Sequence, residues 1–315
     1  MKSLFIASST FFLITAIFLF AEVSSAAAQI LTFEEKEDGV LLLSDGKPRF
    51  FYQKEMISLN GEYPRANYLH PVFDTKGEIV TEDFPDDHLH HRGIFWTWHQ
   101  LWVDDLRIAD PWISDGVEWD VKKIKTEIHP NNSATIAVKV IWKANKISNK
   151  KIIEENTTIT YQPTGNQVYK ITFDITLKPL VSGVRIGGSE DAKGYGGFSP
   201  RLKLSETVGF YDENGTVTPD NLPVSAGDWI NITKKEPNDP GVVIMGEPDQ
   251  LPSYQGWILR KRNSMQNMAF PGKEPILLSK KEPLHFRNQL LIHQGLSIRE
   301  INNQYRIFRN QNPNN

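Results

Sequence analysis

Between Asp86 and His99 the chain concentrates four of its eight histidines, in the run Asp86-Asp87-His88-Leu89-His90-His91-Arg92-Gly93-Ile94-Phe95-Trp96-Thr97-Trp98-His99. Imidazole exchanges protons near neutral pH and ligates metals, and a carboxylate beside it can do either. Aromatic rings offer apolar faces to a ring-shaped ligand. The run therefore reads as the floor of an active or binding site. Taken as a strand entering a loop, it puts His88 and His90 on one face and His91 on the other. Two chemistries compete with a structural role in bonding buried carbonyls. In the first, His88, His90 or His91 acts as general acid or base on a sugar hydroxyl or ring oxygen. In the second, His88 and His90 ligate a divalent metal, with Asp86, His99, His70 or a distant residue as third ligand. No cofactor is demanded by the sequence, and this metal is the one candidate. Arg92 reads either as a clamp on a substrate carboxylate or phosphate, or as the ion-pair partner of Asp86 or Asp87. Trp96 and Trp98 are candidate platforms for a sugar ring, although each is a common core residue.

A second constellation lies in the glycine-rich stretch Gly187-Gly188-Ser189-Glu190-Asp191-Ala192-Lys193-Gly194-Tyr195-Gly196-Gly197. Glycines let backbone approach a ligand closely. Glu190 or Asp191, facing His88 or His90 across a cleft, would complete an acid/base pair, with Lys193 as a substrate contact. The alternative is a solvated hairpin loop. The stretch is neither a phosphate loop nor a dinucleotide fingerprint, because no strand-to-helix transition accompanies it. Upstream, Asn67 and His70 are further candidates for substrate binding.

The elements that must position these residues read as strands. Tyr169, Ile171, Phe173, Ile175 and Leu177 alternate with Lys170, Thr172, Asp174 and Thr176, the period of a strand with one face buried. Ile136, Val138, Val140 and Trp142 repeat the pattern, as do Thr157–Tyr161, Phe198–Leu204 and Leu284–Ile292. Asp45-Gly46, Asn60-Gly61 and Asn214-Gly215 mark turns between runs. Only the C-terminus carries helical spacing. Ser297 and Glu300 form a capping box, and Ile298, Ile301, Tyr305 and Phe308 follow as an apolar stripe suited to a sheet edge. The expected fold is all-β: a large antiparallel β-sandwich over residues 29–309 with a short C-terminal helix, two smaller β domains being the alternative. Residues 310–315 read as a disordered tail.

Residues 1–28 read as a signal peptide: Lys2, an apolar run from Phe11 to Ala21, and small residues up to Ala28 where cleavage would fall. The expected location is the periplasm or exterior of a Gram-negative bacterium, with no membrane attachment after cleavage. The chain has no cysteine, which excludes disulfides, thiolate metal sites and cysteine nucleophiles. Net charge is −3 with no basic block, which argues against nucleic acid as a partner.

Tyr68-Leu69-His70-Pro71-Val72, followed by Asp87-His88-Leu89-His90-His91-Arg92-Gly93, resembles the exported family labelled "methane oxygenase PmoA". The Glu190-Asp191-Ala192-Lys193-Gly194 loop, Phe270-Pro271-Gly272 and Leu291-Ile292-His293-Gln294-Gly295 extend the resemblance over most of the chain. Leu89 stands where that family usually has proline, and the acidic loop differs in order. The label implies a copper-dependent oxygenase. The resemblance also implies a fold similar to the galactose-mutarotase-like supersandwich, in which a histidine and a carboxylate work on a sugar ring. The sequence thus supports three readings. The first is an exported carbohydrate-active enzyme of epimerase, lyase or glycosidase type. The second is a metal-dependent oxygenase or oxidase, and the third is a non-catalytic sugar-binding protein.

Overall fold

In the computed structural model, residues 29–165, 167–262 and 265–311 are described. The signal peptide expected over residues 1–28 lies outside them, as do residues 312–315.

Two antiparallel sheets stack face to face. The smaller has six strands, in the order Leu31–Glu35, Gly39–Ser44, Lys47–Gln53, Tyr68–Val72, Ile94–Trp98 and Gly196–Pro200. The larger has nine. Its long meander Val117–His129, Ser133–Ala144, Lys150–Pro163 and Val168–Pro179 continues through Leu284–His293 into Gly241–Gly246, Trp229–Thr233, Gly209–Asp212 and Gly215–Thr216. The expected alternation is observed: Ile136, Val140, Trp142, Tyr169, Ile171, Phe173, Ile175 and Leu177 are buried. They meet the first sheet through aromatic contacts, Trp96 on Phe173 at 5.7 Å and Phe198 on Phe173 at 4.9 Å between ring centroids. Burial on this scale stabilises the fold by roughly 1.5–3 kcal/mol per large apolar side chain.

Turn chemistry sets the register. Asp45 and Gly46 both take positive φ, +52° and +72°, between the paired strands Gly39–Ser44 and Lys47–Gln53. That is the backbone of a two-residue hairpin turn whose twist matches the flanking strands. Asn60 and Gly61 repeat it. The strand expected over Phe198–Leu204 is shorter, ending at Pro200, because the chain beyond it makes only isolated bridges.

The helix Ile298–Asn310 is capped as expected, with Glu300 N donating to Ser297 Oγ and Ser297 N donating to the Glu300 carboxylate. It covers a sheet face rather than an edge. Ile301 and Phe308 pack on Trp229, Val243, Met245 and Leu291, the outward set of strands whose even-numbered neighbours face the main core. Asn310 is the last helical residue and Gln311 its cap, so the disordered tail expected from residue 310 is corrected there.

Candidate functional site

The strand Ile94–Trp98 is buried on both faces. Trp96 and Trp98 point into the inter-sheet core. Phe95 points the other way, into a small cluster with Tyr68, Trp112 and Met265. A cleft of about 320 Å³ opens above that cluster, and His88, His90, His91 and His99 all line it.

Strand pairing explains the convergence. Gly196–Pro200 runs antiparallel to Ile94–Trp98, with Gly196 opposite Trp98 and Pro200 opposite Ile94. Tyr195 therefore emerges beside His99, and Arg201 beside the histidine turn. The hairpin of Gln100–Val103 with Leu106–Ala109 pairs Leu101 with Ala109, which brings Asp110 back to His99. Gly93 permits the close approach of the turn, because at φ +41° a Cβ there would sit 2.1 Å from the Leu69 carbonyl oxygen.

Residues 84–91 form turns, not the expected strand. Asp83 and Arg92 bridge at the base, and His91 N donates to His88 O at 2.8 Å. Consequently His91 joins His88 and His90 instead of facing away. The His88 and His91 rings stack at 4.7 Å, and His90 meets His91 edge-on at 4.5 Å.

Each histidine has a distinct setting. Nδ1 of His88 lies 2.9 Å from Asp87 Oδ2, and Nδ1 of His99 lies 3.1 Å from Asp110 Oδ2. An ionised carboxylate only accepts, so both rings donate from Nδ1 and keep Nε2 for a ligand. Arginines back both carboxylates: Arg201 Nη2 donates to Asp87 at 2.7 Å, and Arg107 Nη2 to Asp110 at 3.2 Å. Burial alone would raise Asp87, but hydrogen bonds from His88 and Arg201 and the Arg201 charge hold its carboxyl below the usual range. Arg201 also donates from Nη1 to Nδ1 of His91 at 3.0 Å. Since arginine cannot accept, neutral His91 carries its proton on Nε2. Burial, then the neighbouring His90 and the Arg201 charge, push His91 far below the ordinary imidazole range. His90 is lowered to about 4, by burial first and then by His88, His99 and Arg65. His90 and His91 are therefore neutral at physiological pH.

Trp112 forms the aromatic wall. It is presented by the 3-10 turn Pro111–Ile113, which the Asp110 side chain caps. Its ring stacks on His99 at 5.1 Å, meets His91 at 6.2 Å and leans on Tyr195 at 5.5 Å. Beneath it, buried Arg65 donates to the carbonyls of Pro111 and Trp112 and lies between the Phe95 and Trp119 rings.

Several expected contacts lie elsewhere. Trp96 and Trp98 are 2% and 0% exposed, so neither is a sugar platform; their indole N–H groups donate to Glu155 and to the Phe270 carbonyl. Arg92 is fully buried, donating to Asp83, to the Tyr68 hydroxyl and to the Tyr63 carbonyl. It holds the base of the turn instead of a substrate, and its acid is Asp83, not Asp86 or Asp87. Asn67 donates to buried Glu155 and accepts from Tyr52. His70 bonds Thr81 away from the cleft lining. Glu190 is exposed and pairs with Arg107, while Asp191 accepts from Ser189 and from Lys193 N within its own loop. Neither lines the cleft, so the orienting carboxylates are Asp87 and Asp110. Lys193 does line it, as do Tyr195, Arg260 and Arg262.

Among the described residues, no three His, Asp or Glu side chains converge as a metal ion would require. A larger cleft of about 550 Å³ near Glu247 and Pro283 holds one histidine, His285, already bonded to Asp174. Chemistry, rather than size, selects the histidine cleft.

Residues 39–306 match a family of unknown function, DUF6807, and the chain belongs to that family. No curated protein matches the chain.

Proposed function

We propose that this protein of the DUF6807 family binds a sugar or glycoside in the histidine cleft and acts on it by acid–base catalysis. One observation carries the reading: two histidines, His88 and His99, line one cleft, and each is oriented from behind by an aspartate. A carboxylate that accepts from Nδ1–H fixes the tautomer and leaves Nε2 as the exchanging atom. A neutral ring of this kind takes a proton from a hydroxyl, a C–H or a water. The other ring, as imidazolium, returns one to the departing or ring oxygen. Neutral His90 and His91 supply hydrogen bonds without adding charge. Tyr195, partly exposed, gives an apolar wall on which a sugar ring packs, with buried Trp112 backing it. A volume of about 320 Å³ lies at the small end for ligand sites, which suits one or two rings.

The antiparallel sandwich is compatible with the mutarotase-like supersandwich that the family resemblance implies. That likeness concerns the fold alone. The leader-like residues 1–28 would place the chemistry outside the cytoplasm. The experiment is to incubate the protein with a panel of sugars and glycosides and follow each by NMR. Conversion of a panel member, lost in both His88→Ala and His99→Ala, supports catalysis. Saturable binding with no conversion leaves a sugar-binding protein instead.

A further inference from the structure

The cleft has an unusual balance of donors and acceptors. Arg260, Arg262 and Lys193 line it, and no carboxylate does among the described lining residues. Arg260 is held rigidly by neutral groups: Nε donates to the Tyr195 hydroxyl, Nη1 to the carbonyls of Asp220 and Leu259, and Nη2 to the carbonyl of Asn221. Those bonds use four of the five guanidinium N–H donors. Buried Gln266 fixes the backbone as well, donating to Arg260 O and accepting from Arg260 N. The strongly anchored Arg260 thus keeps one donor and a full charge, with no ion-pair partner among the described residues. Arg262 is exposed. Lys193 is partly neutralised by Asp191 at 3.5 Å, both being about half exposed. Arg65 adds a further charge below the floor, where its described acceptors are carbonyls.

Guanidinium and ammonium groups only donate, so the ligand must supply acceptors there. A neutral sugar offers hydroxyls that both donate and accept, and its donors find no lining carboxylate. An oxyanion supplies acceptors alone, meets the charge and takes the one donor that Arg260 keeps. We infer that the ligand is an acidic sugar, bearing a carboxylate or a sulfate ester that Arg260 and Arg262 receive while the histidines face the ring. The inference rests on the carbohydrate reading of the same cleft. Arg260 and Arg262 thus take the anion-binding role that the sequence suggested for Arg92.

The test is calorimetric titration of the full chain at constant ionic strength, since salt screens such contacts. The probes are digalacturonate for the carboxylate, galactose 6-sulfate for the sulfate ester, galactobiose as the neutral sugar, and acetate and inorganic sulfate as free anions. One acidic sugar is expected to bind at least about tenfold tighter than galactobiose, and the preferred arm identifies the anion. Arg260→Gln and Arg262→Gln should each weaken it about tenfold. Arg262 makes the cleaner variant, because its exposed side chain can be replaced without disturbing the fold. Equal binding of galactobiose overturns the acidic-sugar inference and leaves the carbohydrate reading standing. Free anions binding as tightly as the acidic sugars overturn the sugar part of both. No binding of either acidic sugar, or binding indifferent to both substitutions, overturns the inference.

Discussion

Arg201 Nη2 donates to Asp87 at 2.7 Å, so the residue that orients His88 is itself held by a side chain 114 positions away in sequence. Arg201 is 3% exposed and also meets Glu82 and His91. It is the joint that fixes the histidine turn to the strand Gly196–Pro200.

Removing that joint should cost stability and activity together. Breaking a fully buried ion pair costs about 3–5 kcal/mol. Here the acids are 31% and 34% exposed, and solvent screening reduces the loss to about 2 kcal/mol. Urea unfolding of Arg201→Ala would measure it. Because the folded carboxyl of Asp87 lies below its unfolded value of 3.8, its share is present at neutral pH and disappears as pH falls through the lowered folded value. The wild-type and Arg201→Ala unfolding curves should therefore converge in acid.

The depressed histidines act over a higher window. His90 and His293 are both lowered to about 4, each chiefly by burial. Between that value and about 6.5 the unfolded chain binds protons that the native chain does not, so stability falls as pH falls. The combined loss is on the order of a few kcal/mol across this window, discounted for the partial exposure of His90. Unfolding free energies at several pH values should show the slope, and His90→Gln should make it shallower. His293, bonded to Asn231 and to the amides of Gly295 and Leu296, should retain its part.

Glu155 tests the separation of core from site. Its carboxylate is buried and accepts from Asn67, Trp96 and Thr157 on one oxygen and from Trp142 on the other. Glu155→Gln turns one acceptor into a donor facing a donor, at a cost of about 1–3 kcal/mol. Thermal or chemical unfolding should show that loss, while ligand affinity of the folded variant stays unchanged.

Much of the sandwich was legible because period-two burial is local information. Tyr169 to Leu177 and Ser297 with Glu300 show what their elements do within a few residues of sequence. The histidine run was legible as chemistry, yet its geometry was not. A strand reading put His91 on the wrong side, since nothing in residue types alone reveals the bridge of Asp83 with Arg92. Alternation likewise could not tell that Ile94–Trp98 is covered on both faces, and so it made Trp96 and Trp98 look available. Asp110 and Arg107 come to His99 through a hairpin register, and Arg260 from a distant loop. The signals that could have found them were modest: the Asp-Pro start of a capped turn at Asp110-Pro111, and an arginine following an apolar strand at Arg260.

The orienting role of Asp110 gives a kinetic prediction. Asp110→Asn leaves His99 without a carboxylate and should lower kcat by about 100-fold or more, with a smaller change in KM. The asparagine amide oxygen keeps the cap bond to Ile113 N, so the melting temperature should change little. A fall in KM-normalised rate that tracks only stability would mean that Asp110 is structural.

The most direct measurement is NMR of acidic and neutral sugars and glycosides incubated in deuterated water with the wild-type chain, His88→Ala, His99→Ala and the double variant. The account predicts conversion, or deuterium uptake at a ring position, by the wild-type protein, and its loss when either histidine is replaced in a folded variant. Turnover that survives in the double variant would contradict the two-histidine mechanism, and a wild-type chain that binds sugars without converting or exchanging any of them would contradict catalysis itself.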